Sequence, residues 1–209
     1  MDPEPSDSAE TQQLLQRVRC GDERAFDQLF ARHRAFLRQI VELRMDPKLG
    51  RRIDASDVVQ EAHVEAARRL ESYLEQPTIP FRLWLRQITY DRLLMARRRH
   101  VSAQRRTVDR ELPLPERSSL QLAQQLAASG TTPSQHLVRD ELGHRVRSAV
   151  AKLSDPDREV LLMRNFEGLS NQEVAKVLAI ESATASKRYG RALLRLRTLL
   201  LDTSLSELG

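Results

Sequence analysis

The run from Leu153 to Leu200 limits the fold more than any other part of the sequence, because it holds the start and stop signals of three consecutive helices. The first is predicted over Ser154–Gly168, with a proline in its first turn and a glycine suited to the position after a helix end. The second begins at Ser170–Glu173, which has the spacing of a capping box, and ends near Ile180. The third is predicted over Ser182–Leu200. A short helix, a tight turn and a longer basic helix predict a helix-turn-helix.

The third helix of this run has an apolar face and a basic face. The apolar residues recur every three or four positions, as a buried stripe requires: Ala185, Tyr189, Ala192, Leu196 and Leu199. The opposite side carries Thr184, Lys187, Arg188, Arg191 and Arg195. A solvated charged surface is one interpretation of this basic face. The short capped helix before it favours a DNA-reading helix, since a recognition helix needs a partner helix that sets its angle in the groove.

Composition favours helices and a polyanionic partner. Aromatic residues make up 4% of the 209 residues and glycines number 7, which is more typical of helical domains than of β-sheets. The net charge of +5 favours nucleic acid or a membrane surface as partner. The single cysteine, Cys20, excludes an internal disulfide and suits a reducing cytoplasm. No stretch has the roughly 18 apolar residues of a membrane span, and the acidic N-terminus is not that of a signal peptide.

The predicted architecture is all-α, with two small helical domains joined by a flexible linker. Helices are expected at 11–19, 23–43, 54–75 and 80–100 in the first domain and at 133–152 before the C-terminal run. Pro113, Pro115 and Gly130 indicate that the stretch between the domains is a linker, with one short helix over 118–128. The predicted segments are a disordered N-terminus (1–10), a first domain (11–100), a linker (101–132), a second domain (133–200) and a tail (201–209).

Two neighbouring helices of the first domain carry opposite charges. Between Asp54 and Glu75 there are six acids and two arginines, whereas between Arg82 and Arg110 there are nine arginines and two aspartates. Solvated helix faces are one interpretation, but a change of sign over so short a distance favours two different partners. An aromatic residue of the basic helix could stack on a nucleic-acid base. Its tryptophan lies on the apolar stripe and is expected in the core, so the tyrosine at position 90 is the better candidate.

A set of residues in the C-terminal run follows the pattern of a known family: Leu153, Arg158, Val160, Leu161, Arg164, Glu167-Gly168-Leu169-Ser170, Glu173-Val174-Ala175, Leu178, Arg188 and Arg191-Ala192. This pattern resembles the fourth region of bacterial sigma factors. More narrowly, it is similar to the extracytoplasmic-function branch of the sigma-70 family. One departure lies in the turn of the helix-turn-helix, where Ala179 stands in place of the family's usual glycine.

Two motifs of the first domain extend the resemblance, namely Asp54 with Asp57-Val58-Val59-Gln60-Glu61, and Phe81-Arg82-Leu83-Trp84-Leu85. The first is similar to the sigma motif that docks on the clamp helices of the largest polymerase subunit. The second is similar to the motif that melts the minus-10 element and holds a flipped base. The resemblance implies a core-polymerase site formed by Asp54, Asp57, Gln60 and Glu61. It implies a minus-10 site formed by Arg82, Arg86, Tyr90, Arg92, Arg97 and Arg98. The implied minus-35 site consists of Ser170, Thr184, Lys187, Arg188, Arg191 and Arg195.

The resemblance implies a sigma factor that binds core RNA polymerase and directs promoter recognition, promoter melting and transcription initiation. Its implied partners are the clamp helices of the largest subunit, the flap of the second-largest subunit, promoter DNA, and an anti-sigma factor or other regulator. The sequence has no phosphate-binding loop, zinc-ligand spacing or nucleophile grouping, so no cofactor, metal or enzymatic activity is expected. Two other functions stay open: a stand-alone helix-turn-helix regulator that binds DNA by itself, and an interaction module that sequesters a partner.

Overall fold

The computed structural model describes residues 7–45, 53–103, 146 and 148–206, and every regular element in this part of the chain is a helix. The all-α prediction is confirmed. Residues 148–151 form the described end of the helix predicted over 133–152, most of which lies outside the described residues, as do the predicted linker and its short helix. The helices with defined bounds are α1 (Ala9–Arg19), α2 (Glu23–Glu42), α3 (Ala55–Glu75), α4 (Phe81–Ala103), α5 (Asp155–Asn165), α6 (Asn171–Leu178) and α7 (Ser182–Ser206).

The chain separates into two compact units. Unit 1 contains Met1–Glu42 and Lys48–Val108, and unit 2 contains Leu43–Pro47 and Asp109–Gly209. This division agrees with an architecture of two small helical domains. The functional domain bounds expected from the sequence, 11–100 and 133–200, stay predictions.

Unit 1 is a bundle in which α2 lies against α1, α3 and α4, and α3 also packs on α4. In α2 the side chains of Ala25, Phe26, Leu29, Phe30, Leu37, Ile40 and Val41 are buried, and that of Phe36 is half-buried. Burial of such side chains contributes most of the favourable free energy of a small helical bundle. The largest fully buried side chains of this unit are Leu29, Leu37, Ile40, Phe81, Leu83, Leu85 and Leu93.

In unit 2, α7 packs against both α5 and α6. The apolar side of α7 closes onto α5 and onto the residues that precede it, so the long helix has one face fixed in the core. The apolar residues in this core include Val146, Ala149, Val150, Leu153, Leu161, Leu162, Phe166, Ala192 and Leu196.

The start of α1 lies inside the segment that the sequence predicted to be disordered, so that prediction is wrong for residues 7–10. Two side chains hold this start in place. Ser8 caps α1 by accepting a hydrogen bond from the Thr11 N–H, and the Asp7 carboxylate accepts the Phe81 N–H at 2.9 Å. The latter contact caps α4 from a distant point of the chain, which a local sequence pattern cannot reveal.

Two helices are longer than predicted. Helix α4 extends to Ala103 rather than to position 100, and α7 extends to Ser206 rather than to Leu200. No glycine or proline occurs between Leu200 and Ser206, so nothing in the sequence ends α7 within the predicted tail. Among the residues that the structure describes, no helix is long and apolar enough to cross a membrane.

Candidate nucleic-acid and protein interfaces

The exposed face of α7 carries most of the residues predicted to read DNA. Thr184, Lys187, Arg191 and Arg195 are exposed, and Arg188 is half-buried. On the opposite face Ala185, Ala192 and Leu196 are buried, and Tyr189 and Leu199 are half-buried, so the predicted apolar stripe is confirmed. The helix therefore presents hydroxyl, ammonium and guanidinium groups together, which suits contacts with phosphates and base edges.

The start of α6 is fixed by the predicted capping box. Ser170 Oγ accepts the Glu173 N–H at 3.2 Å, and the Glu173 carboxylate accepts the Ser170 N–H at 2.7 Å. The hydroxyl predicted to contact DNA is thus already used in capping. In the same region Asn171 Nδ2 donates to Ser182 Oγ at 2.7 Å, which joins the first residues of α6 and α7.

The turn between α6 and α7 contains a backbone conformation that alanine adopts at a cost. Ala179, at the end of α6, has φ 51° and ψ 45°, in the left-handed region. For a residue with a Cβ atom this conformation is less favourable by roughly 1–2 kcal/mol of free energy, whereas for glycine it is nearly neutral. Glycine, the usual residue at this position in the family that the sequence resembles, adopts this conformation without that cost.

We expect Ala179→Gly to raise the free energy of unfolding by about 1 kcal/mol, because relief of the left-handed strain outweighs the greater entropy of the unfolded chain. Urea unfolding of the full chain followed by circular dichroism measures the change. Ala183→Gly is the matched control, since Ala183 is an exposed residue in the first turn of α7 and has a helical backbone. That control should lose stability, by up to about 1 kcal/mol. Equal destabilisation by both variants would contradict the left-handed turn.

Helix α7 is also fixed laterally against α5. The Tyr189 hydroxyl and Asn165 Oδ1 are 3.1 Å apart, and the Arg164 guanidinium lies 5.4 Å from the centre of the Tyr189 ring. Arg164 in turn donates to the Leu169 carbonyl at 2.8 Å. These contacts orient α7, and no sequence pattern indicates this role of Asn165.

A buried carboxylate at the start of α5 reaches two of the predicted DNA-reading arginines. Asp157 has a side chain only 1% exposed, and its Oδ2 accepts a hydrogen bond from Arg195 Nη1. Its Oδ1 lies 3.8 Å from Arg191 Nε. Asp157 lies in the first turn of α5, and the sequence gives no sign of this contact because the partners are far apart along the chain.

In unit 1, α3 presents the predicted polymerase-docking residues along one side. Asp57 and Gln60 are exposed and Glu61 is partly exposed. Asp54 caps α3 by accepting the Ser56 N–H at 2.8 Å, and this hydrogen bond lowers the pKa of the Asp54 carboxyl. Because Asp54 is used in capping, Asp57, Gln60 and Glu61 are the remaining candidates for docking. They border a groove of about 340 Å³ lined by Asp57, Gln60, Glu61, Val64, Glu65, Arg68 and Arg92.

Ion pairs join this acidic helix to the basic helix α4. Arg99 donates to the two Glu61 carboxylate oxygens at 2.7 and 3.3 Å, and this pairing raises the pKa of Arg99. Arg92 Nη2 lies 3.5 Å from Glu65, and both side chains are largely buried. The opposite charges of the two helices therefore help to hold them together.

The predicted minus-10 residues of α4 have different degrees of exposure. Arg98 is exposed, whereas Arg82, Tyr90, Arg92 and Arg97 are half-buried. The Arg82 guanidinium lies 4.2 Å from the centre of the Phe36 ring.

Arg86 is only 2% exposed, and its guanidinium lies 5.8 Å from the Tyr90 ring. Because α4 packs against both α2 and α3, its buried side is broader than a single stripe, and Arg86 falls within it. The structure therefore does not present Arg86 on the surface with the other arginines. Trp84 is half-buried and stacks on Tyr73 with ring centres 4.5 Å apart, as the expected core packing requires.

A histidine beside the start of α4 is held uncharged by its surroundings. Burial, together with the positive charges of Arg82 and Arg32, lowers the pKa of His33 to about 4. Its ring lies 5.8 Å from that of Phe81. His33 is therefore a neutral packing residue at physiological pH. The part of the chain that the structure describes contains no group of His, Cys, Asp or Glu residues suited to a metal ion.

Comparison with known proteins assigns both units to one class. Residues 29–103 match the family described as Sigma-70 region 2, and residues 143–196 match that described as Sigma-70, region 4. The two regions occur in one chain together with an exposed basic recognition helix, which defines a promoter-specificity factor. The chain belongs to the sigma-70 family, within its extracytoplasmic-function branch of RNA polymerase sigma factors.

Individual relatives cover nearly the whole chain. The RNA polymerase sigma factor CnrH of Cupriavidus metallidurans is 32% identical over 96% of this chain and 97% of its own length. The RNA polymerase sigma-H factor of Pseudomonas aeruginosa is 30% identical over 87% of this chain and 89% of its own. A solved structure of CnrH with the cytosolic domain of CnrY is similar with a TM-score of 0.58 and 25% identity, covering 91% of this chain and 97% of that one.

Proposed function

We propose that this chain docks on core RNA polymerase through α3, opens the minus-10 element with α4 and reads the minus-35 element with α7. The observation that carries the proposal is the exposed basic face of α7, mounted on a capped partner helix in a chain that belongs to the sigma-70 family. The activity is binding and DNA opening rather than covalent chemistry. It takes place where RNA polymerase works, in the cytoplasm.

The proposed docking on core RNA polymerase rests on the exposed side of α3. Asp57, Gln60 and Glu61 offer two carboxylates and an amide along a groove, with Val64 exposed nearby as an apolar contact. Carboxylates pair bidentately with arginine, so a basic helix of a partner protein suits this side. The clamp helices of the largest polymerase subunit are the proposed partner.

The minus-10 part is assigned to the accessible side of α4. Arg82, Tyr90, Arg92, Arg97 and Arg98 remain the proposed DNA-contacting residues, with Tyr90 as the residue on which a base stacks. Arg86 is withdrawn from this set because of its burial. Its place beside the Tyr90 ring suits a role in supporting the stacking residue.

We propose two further protein partners on grounds of similarity. One is the flap of the second-largest polymerase subunit, which unit 2 would contact. The other is an anti-sigma factor or similar regulator, since the similar protein CnrH has been solved with the cytosolic domain of CnrY.

DNA binding with and without core polymerase tests the proposed function. The basic residues are divided between two units, so we expect the isolated chain to bind promoter DNA weakly and with strong salt dependence. Addition of core polymerase should produce sequence-specific binding, because core fixes the separation of the two units. Gel shifts with promoter DNA and with scrambled DNA measure binding by the isolated chain and binding in the presence of core polymerase. Nanomolar sequence-specific binding by the isolated chain would contradict the proposal and favour a stand-alone regulator.

A further inference from the structure

Asp157 is the buried carboxylate at the start of α5, and it lies inside a DNA-binding unit. A buried carboxylate requires a charged or hydrogen-bonding partner, because it has lost its hydration. The first turn of α5 favours its negative charge through the helix dipole. Its side-chain partners, however, come from the recognition helix.

Arg195 and Arg191 meet Asp157 from the exposed side. Arg195 donates Nη1 to Oδ2, while its side chain is 54% exposed, and Arg191 is 58% exposed with its Nε 3.8 Å from Oδ1. An arginine side chain on a helix surface normally samples many rotamers. The Asp157 carboxylate is buried and therefore keeps a fixed position. An arginine that is bound to it samples fewer rotamers.

The guanidinium group has five N–H donors in a planar arrangement. The bond to Asp157 uses one nitrogen of Arg195, and because the side chain is 54% exposed, other N–H donors stay accessible to a partner. A restrained arginine can therefore still contact DNA, but only from a narrow range of positions. A mobile arginine would reach any phosphate within its length.

From these contacts we propose that Asp157 is a positioning residue for minus-35 recognition, which restrains Arg191 and Arg195 and so increases sequence discrimination. The proposal rests on the proposed function, since it assumes that α7 reads DNA. At a mismatched site, an unrestrained arginine turns to a phosphate and recovers part of the lost interaction. A restrained arginine cannot turn to a phosphate, so the mismatch causes the full loss of binding affinity.

The test uses holoenzyme carrying Asp157→Asn, which keeps the shape of the side chain and removes its charge. We expect the preference for the best minus-35 sequence over single mismatches to fall by about tenfold, mainly through stronger binding of mismatched sites. On those sites the slope of log affinity against log salt should steepen by about one, because a released arginine reaches a phosphate. A randomised minus-35 library and a salt titration on single-mismatch promoters measure the two effects.

Asp155→Asn is the matched control. Asp155 lies in the same first turn and its side chain is 92% exposed, so the variant removes the same charge without removing the contact to α7. It should leave discrimination unchanged. An equal effect of both variants would show that net charge alone is responsible and would overturn the proposal. Uniform weakening of all sequences by Asp157→Asn, with an unchanged salt slope, would show a purely structural role and would also overturn it.

Two further arms separate the possible failures. In a background of Arg191→Ala with Arg195→Ala, Asp157→Asn should no longer affect mismatched sites. Arg188→Ala in the same library tests whether α7 reads DNA at all, so a shift with Arg188→Ala and none with Asp157→Asn rejects only the role of Asp157. No shift with either variant would count against the proposed function as well.

A measurement on the wild-type chain needs no folded variant at position 157. The Arg195 guanidinium should show restricted motion by NMR relaxation of its side-chain N–H groups, whereas the exposed Arg197 should move freely. Equal mobility of the two groups would overturn the proposal, even if Asp157→Asn failed to fold.

Discussion

Replacement of Asp57 by arginine is expected to abolish binding to core RNA polymerase. The side chain is exposed at the start of α3, in the groove proposed to receive a basic partner helix. Charge reversal removes an attractive contact and places like charges together, and such a change at a charged interface costs several kcal/mol. An affinity loss of more than about 100-fold should follow, measured by pull-down or by competition for core enzyme.

Folding should survive this change, since Asp57 is exposed and only the loss of a favourable helix-dipole contact, about 0.3–1 kcal/mol, is expected. Glu75→Arg is the matched control, because Glu75 lies on the same side of α3 but about 27 Å further along the helix axis. Glu61→Arg should also block docking, but it places a second arginine against Arg99, so Asp57 gives the cleaner experiment. Normal core binding by Asp57→Arg would show that the docking surface is elsewhere.

The second large effect is expected on promoter choice. Arg188→Ala and Arg191→Ala should each change the minus-35 sequences that holoenzyme selects, because both residues lie on the basic face of α7 near the half that enters the major groove. Loss of one bidentate contact to guanine costs about 1–3 kcal/mol and relaxes preference at one base pair. Arg188 is half-buried and Arg191 is exposed.

Arg195→Ala provides the comparison for these two variants. Arg195 lies a turn further along α7, so this variant should weaken binding and lower the salt slope by about one, and it should change the selected sequences less than either of the other two variants does. Selection from a randomised minus-35 library by each mutant holoenzyme measures all three. Unchanged selection by both Arg188→Ala and Arg191→Ala would show that the reading face of α7 has been placed wrongly.

The features that the sequence predicted well depend on residues close together in the chain. The capping box of Ser170 and Glu173 involves partners three positions apart, so its spacing identifies it. The apolar stripe of α7 follows from helical periodicity in the same way. Such features need no knowledge of the neighbouring helices.

The features that the sequence missed depend on tertiary packing. Arg86 lies on a basic helix, and only the contact of α4 with two other helices explains why it is buried. The bond between Asp157 and Arg195 joins residues 38 positions apart, and the Asp7 cap on Phe81 joins residues 74 positions apart. A periodic pattern gives no information on these pairs, because it describes one element at a time.

The ion pair between Glu61 and Arg99 affects the thermodynamics of assembly. Glu61 is already paired in the unbound chain, so a partner arginine that binds to it replaces Arg99 instead of neutralising an isolated charge. Such an exchange releases fewer small ions on binding than pairing with unpaired carboxylates on α3 would release. Association with core polymerase should consequently depend less on ionic strength than DNA binding by α7 does. The displaced Arg99 then becomes a mobile cation at the end of the helix proposed to open DNA.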